Sequence, residues 1–119
     1  MIHHVSVATT DLARSGVFYD ALLGALGWRR HIESDETIAW GIVRPVFYCS
    51  ARPGGAGGGH VCFAASGIPA VKAAWEAGLG AGGEDEGAPG PRPEYGGSYY
   101  SAYLRDPNGN RVEIAVGSD

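Results

Sequence analysis

HVSVA at residues 4–8 returns as HVCFA at residues 60–64, and the match runs on, aligning residues 4–27 with residues 60–83. His4/His60, Val5/Val61, Ala8/Ala64, Ala21/Ala77, Leu23/Leu79, Gly24/Gly80, Ala25/Ala81 and Gly27/Gly83 are identical. Tyr19/Trp75, Asp20/Glu76 and Leu12/Ile68 are chemically alike. Alanine and glycine are common in this chain, so composition supplies part of the match. The paired His-Val openings and the shared Leu-Gly-Ala-x-Gly endings are not explained that way. An internal duplication narrows the available folds: two like units, each too small to bury a core alone, must pack on one another or on a second chain.

At 119 residues the chain is read as a single domain, with module one at 1–50, a Gly-rich linker at 51–59 and module two at 60–116. A net charge of −4 without a Lys/Arg cluster leaves no electrostatic footprint for nucleic acid. No run approaches the ~18 apolar residues of a membrane span, so no membrane partner is expected. The opening MIHHVSVATTD lacks the basic and apolar regions of a signal peptide. Cys49 and Cys62 form no metal-type or redox-type pair, and two thiols without a secretion signal point to the reducing cytoplasm. The 20 glycines gather in two places. ARPGGAGGG (51–59) reads as a flexible linker, and GAPGPRPEYGG (87–97), with three prolines, reads as a functional loop rather than a regular strand.

Each module reads as βαβββ. IHHVSVA alternates like a half-buried strand, with His3, Val5 and Val7 on one face and His4, Ser6 and Ala8 on the other. Thr10 or Asp11 can cap a helix in which Leu12, Tyr19, Leu22/Leu23 and Leu26 recur at helical spacing, ended by Gly24 and Gly27. Short strands are expected at 27–33, 36–43 and 46–50, with Arg44-Pro45 as a break. The second copy repeats the plan with a strand at His60–Ala65, a helix at Ile68–Ala77 and a strand near 81–86. A hairpin then closes around Asp106-Pro107-Asn108-Gly109.

Alternation places His4, His60 and Glu113 on the face away from the helices, which twist makes concave. Two imidazoles and a carboxylate form a three-ligand set for a first-row divalent ion with positions left open for substrate. The ligands are far apart in sequence, and the duplication is what brings His4 and His60 to equivalent positions. The module-one counterpart of Glu113 falls in VFYCS, where alternation points to Tyr48. A neutral phenol is a poor base and a reluctant metal ligand at neutral pH. Tyr99 and Tyr103 fall on the cavity wall if Leu104 faces the helix, and Arg92 in the Pro-rich segment is placed to grip an anionic substrate. His3 points to the opposite face, His31 to the surface, Trp40 to the core, and Glu84, Asp85 and Glu86 form a solvated acidic stretch.

The chain resembles the vicinal oxygen chelate superfamily, the glyoxalase/bleomycin resistance/extradiol dioxygenase group. The resemblance runs from HHVSVATTDLARSGVFYDALLGALGW through GGHVCFAA and GGEDEGAPGPRP to YYSAYLRDPNGNRVEIA, whose D-P-x-G-x-x-x-E pattern is the most specific part. It implies an α+β fold of two βαβββ modules, with a curved mixed sheet around a cavity. There His4, His60 and Glu113 would hold a divalent metal such as Zn, Ni, Mn or Fe. It also implies a homodimer, consistent with strand edges that need cover. Glyoxalase I places a fourth ligand, a glutamate, where Tyr48 or a near neighbour stands here, which argues against glyoxalase I activity. The function expected is metal-dependent isomerase or lyase chemistry on a small substrate chelated through vicinal oxygens. The alternatives are an extradiol-type dioxygenase and a non-catalytic drug- or metabolite-binding protein. No individual catalytic residue is assigned.

Overall fold

The computed structural model describes residues 1–54 and 57–117. Module one runs β1 (Val5–Thr9), α1 (Leu12–Gly24), β2 (Arg29–Glu33), β3 (Thr37–Gly41) and β4 (Phe47–Ala51). Module two repeats the order with β5 (His60–Ala64), α2 (Ile68–Gly80), β6 (Glu84–Pro91), β7 (Tyr100–Arg105) and β8 (Arg111–Val116). A short 3-10 turn at Pro93–Tyr95 follows β6. The two sheets have matching orders, β1-β4-β3-β2 and β5-β8-β7-β6. In each, the last strand returns parallel to the first and the other pairings are antiparallel. The fold is therefore α+β, with two mixed four-stranded sheets.

Local chemistry accounts for the helices. Asp11 accepts a hydrogen bond from the Arg14 N–H (3.1 Å), capping α1. Phe18, Tyr19, Leu22 and Leu23 form its buried stripe. Past its end Gly27 takes φ = 86°, and the Trp28 N–H reaches the Leu23 carbonyl at 2.9 Å. α2 begins at a proline-containing first turn and buries Val71, Ala74 and Gly78. A Cβ on Gly78 would stand 3.1–3.2 Å from Leu22, Leu104 and Phe18, so a small residue lets the helices meet.

One apolar core spans both modules. The Phe47 and Phe63 rings lie 5.0 Å apart, and Trp28 meets Phe63 edge-on at 5.5 Å. A polar seam joins the modules at the β7–β8 turn. The buried Tyr19 hydroxyl donates to Asp106 Oδ2 (2.6 Å), and Asn110 donates to Asp106 Oδ2 and to the Ala8 carbonyl. Asn108 accepts from the Thr10 N–H and hydroxyl.

Four expectations change. β1 starts at Val5, not Ile2, because its neighbour β4 starts only at Phe47; the last backbone tie is Val5 N–H to Val46 O (2.9 Å). His3 and His4 precede the strand, so alternation does not separate them. Their rings pack edge-to-face with Nδ1 atoms 3.0 Å apart. The third change is in GAPGPRPEYGG, whose first five residues belong to β6, which runs Glu84–Pro91 instead of ending near 86. β6 is an edge strand paired only with β7, so Pro89 and Pro91 need no second partner, and the ladder slips between Asp85/Gly87 and Gly87/Gly90. In the 51–59 segment, Ala51 completes β4, and residues 55 and 56 lie outside the described residues. Gly57 and Gly59 are docked. A Cβ on Gly57 would fall 2.0 Å from the Asn108 carbonyl oxygen, and the Gly59 N–H donates to Asn110 Oδ1 at 3.0 Å.

Candidate metal and substrate site

In β5, Phe63 is buried against the core and half-buried Val61 packs against it, while His60, Cys62 and Ala64 stay exposed on the open face. β8 lies parallel beside it, with His60 opposite Arg111 and Cys62 opposite Glu113. β7 lies on the other side of β8 and sets Tyr103 opposite Glu113. Glu113 thus sits on the central strand of three, between Cys62 and Tyr103.

Its side chain is only 7% exposed. Tyr99 donates to Oε2 at 2.7 Å, and His60 Nε2 stands 3.5 Å from Oε1. His60 itself is half exposed. Burial, then the bond to Glu113, raises the Tyr99 phenol above its ordinary range, and burial beside Glu113 also raises Tyr103. Although Cys62 as a whole is exposed, desolvation of its sulfur against the sheet, then Glu113, pushes its thiol up to about 11. Near neutral pH all three groups keep their protons. His60, Glu113, Tyr99, Tyr103, Arg111 and Tyr95 line a cavity of ≈ 360 Å³.

His4 lines a different, mostly apolar cavity of ≈ 170 Å³ with His3, Trp28 and Phe47. Its ring lies 5.2 Å from that of Tyr48. Among the described residues, no three His, Cys, Asp or Glu side chains converge on one metal position within the chain. Within one chain, His4 lies beside Tyr48, and His60 lies beside Glu113 in the other cavity. The registers match across modules: Ser6 faces Tyr48 as Cys62 faces Glu113. Tyr48 therefore stands where module two has its carboxylate.

The other candidates divide. Trp40 is in the core, 1% exposed, with its indole N–H on Asp20 Oδ1 (2.9 Å). His31 is half-buried with a ring nitrogen 3.2 Å from the Gly41 carbonyl, rather than free at the surface. Glu84, Asp85 and Glu86 are exposed, and Glu86 pairs with Arg105 at 2.6 Å. Arg92 does not line the cavity. Its guanidinium donates to the Ala88 and Pro91 carbonyls and sits 5.7 Å from the Tyr103 ring. The cation in the cavity wall is Arg111, 4.6 Å from that ring. The alternation that places Glu113 on the open face places Arg111 there too, so its position was available from sequence. Tyr95 carried no such signal, because the 3-10 turn brings it in from outside the strands.

Paired βαβββ modules, with a histidine and a buried glutamate on the open face of the second sheet, define the class of fold. The family model of the Glyoxalase/Bleomycin resistance protein/Dioxygenase superfamily matches residues 1–114, and the chain belongs to this family. A glyoxalase/bleomycin resistance protein from Albidiferax ferrireducens T118 is 33% identical, with a TM-score of 0.82 and coverage of 96% of each chain. A glyoxalase-related enzyme from Fulvimarina pelagi shares the fold at 19% identity and TM-score 0.78, over 98% of this chain and 88% of the other. Lactoylglutathione lyase from Agrobacterium tumefaciens shares it at 22% identity and TM-score 0.73, over 98% and 93%. No curated protein matches the sequence.

Proposed function

We propose that this protein is a metal-dependent enzyme acting on a small substrate chelated through two vicinal oxygens, with isomerase or lyase chemistry. Glu113 carries the reading. A nearly buried carboxylate has one oxygen held by Tyr99 and the other facing an imidazole nitrogen at 3.5 Å. That nitrogen–oxygen pair fits a first-row divalent ion. His4 completes the set from a second copy, since within one chain it lines a separate cavity. A divalent ion held there would polarise the substrate oxygens and favour negative charge developing on them.

The chain's own residues do the rest. Tyr99 fixes the Glu113 carboxylate, as groups behind a ligand commonly do. Tyr95 and Tyr103 form part of the cavity wall beside the substrate. Tyr48, at the position equivalent to Glu113, supplies no carboxylate base, so turnover of the glyoxalase I type is not expected. Elemental analysis of the purified protein, a chelator wash and re-titration with Zn, Ni, Mn and Fe(II) provide the test. The expected result is one reversible first-row ion per Glu113. A protein that takes up none of the four would be a binding protein without metal chemistry.

A further inference from the structure

Arg111 adds a charge requirement to this site. It lines the cavity that holds His60 and Glu113, and lies directly opposite His60 in the β5–β8 register. Adjacent strands are about 5 Å apart, and residues two apart on one face about 7 Å, so its charge belongs to the same small volume as the ligands. The guanidinium rests against the Tyr103 ring at 4.6 Å. Among the described residues it makes no side-chain hydrogen bond or ion pair. Arg30, by contrast, is engaged with Asp20 and Glu33, Arg105 with Glu86, and Arg92 with its own loop carbonyls. A ring face offers a cation a seat but leaves its N–H donors free.

On the metal reading above, on which this inference rests, a divalent cation and a guanidinium face a single carboxylate. Like charges repel across that distance unless an anion sits between them. We infer that the substrate is a small organic acid, with a carboxylate on Arg111 a few atoms from the vicinal oxygens that face His60 and Glu113. An arginine fork matches a carboxylate in shape as well as charge.

Two hydroxamates separate this inference from the metal reading: acetohydroxamate, which offers only the two vicinal oxygens, and succinic monohydroxamate, which adds a carboxylate. Titration calorimetry on the metal-loaded protein should show the second binding roughly five- to tenfold more tightly, the scale of a partly exposed charge-assisted pair. Arg111→Gln should abolish that preference, weakening succinic monohydroxamate roughly five- to tenfold more than acetohydroxamate, which binds the metal as an anion and loses some attraction as well. It should also raise the affinity for the metal ion alone, because a repelling charge has gone. Arg111→Lys should keep part of the preference. Equal binding of both probes by the metal-loaded wild type overturns the inference and leaves the metal reading standing. So does a preference that survives in Arg111→Gln. Loss of the dimer in Arg111→Gln overturns it as well, by assigning the residue to an interface. A wild type that takes up no metal defeats the metal reading and this inference with it.

Discussion

At Glu113 the two carboxylate oxygens have different neighbours, Tyr99 on one side and His60 on the other. Glu113→Ala should therefore lower metal affinity by about a hundredfold or more, beyond the 10–100-fold typical of outer-shell groups. His3→Ala should change it less, since His3 reaches the proposed set only through its ring's 3.0 Å contact with His4. Isothermal titration of both variants measures this, and equal losses would remove Glu113 from the ligand set. Tyr48 allows the reverse experiment. Tyr48→Glu should raise metal affinity by supplying a fourth ligand, and the unmodified protein should scarcely turn over the hemithioacetal of methylglyoxal and glutathione. Efficient wild-type turnover would show that another residue serves as the base.

Between elements, the contact from α1 to the β7–β8 turn carries most of the polar work. Asp106 accepts from Tyr19, from the Asn108 and Asn110 N–H groups and from the Asn110 amide. Tyr19→Phe leaves that buried carboxylate one donor short and should cost about 1.5–3 kcal/mol, read as a lower denaturant midpoint at unchanged slope. The same contact shapes the pH response. Burial, then Asp106, raises the Tyr19 phenol well above its ordinary range, and burial pushes the nearby Cys49 thiol up to about 12. From pH ~9, and more so above ~10, the unfolded chain releases protons that the native state retains, so unfolding becomes progressively easier. Urea titrations from pH 8 to 11 should show stability falling across that interval, with a shallower fall in Tyr19→Phe. A flat or rising curve in the wild type would contradict this.

For the whole molecule, the proposed ligand set requires His4 of one copy to meet His60 of another. The N-terminal residues and the β3–β4 turn are tied by Arg44 donating to the His3 carbonyl (3.1 Å), and they carry Ile2, Ile42 and Val43 to the surface. Exposed apolar side chains beside the cavity that His4 lines are what a second copy would cover. Light scattering should give about twice the 12.4 kDa chain mass, and Val43→Lys should shift it toward one. Mixing His4→Ala with Glu113→Ala offers a sharper check. A site shared between copies is restored on one side of each mixed dimer, so about a quarter of the metal capacity should return. A site contained in one chain would recover none. Among the described residues, no helix is long and apolar enough to cross a membrane.

Repetition and alternation made much of this legible beforehand. The offset between HVSVA and HVCFA determined two modules of one plan, because equal strings under equal constraints form equal elements. Period-two burial then set Cys62, Glu113 and Arg111 on one face, since a slip of one residue would turn every side chain over. Alternation failed where its physical basis stops. His3 and His4 precede any paired strand, so no ladder fixes which way they point. In sequence, the prolines of β6 look like strand breakers, yet they are tolerated because tertiary structure makes β6 an edge. Sequence likewise identified His4 and His60 as equivalents, but not whether one chain brings them together. The packing of α1 on α2 over a shared core sets the angle between the sheets, and it leaves the two histidines in separate cavities.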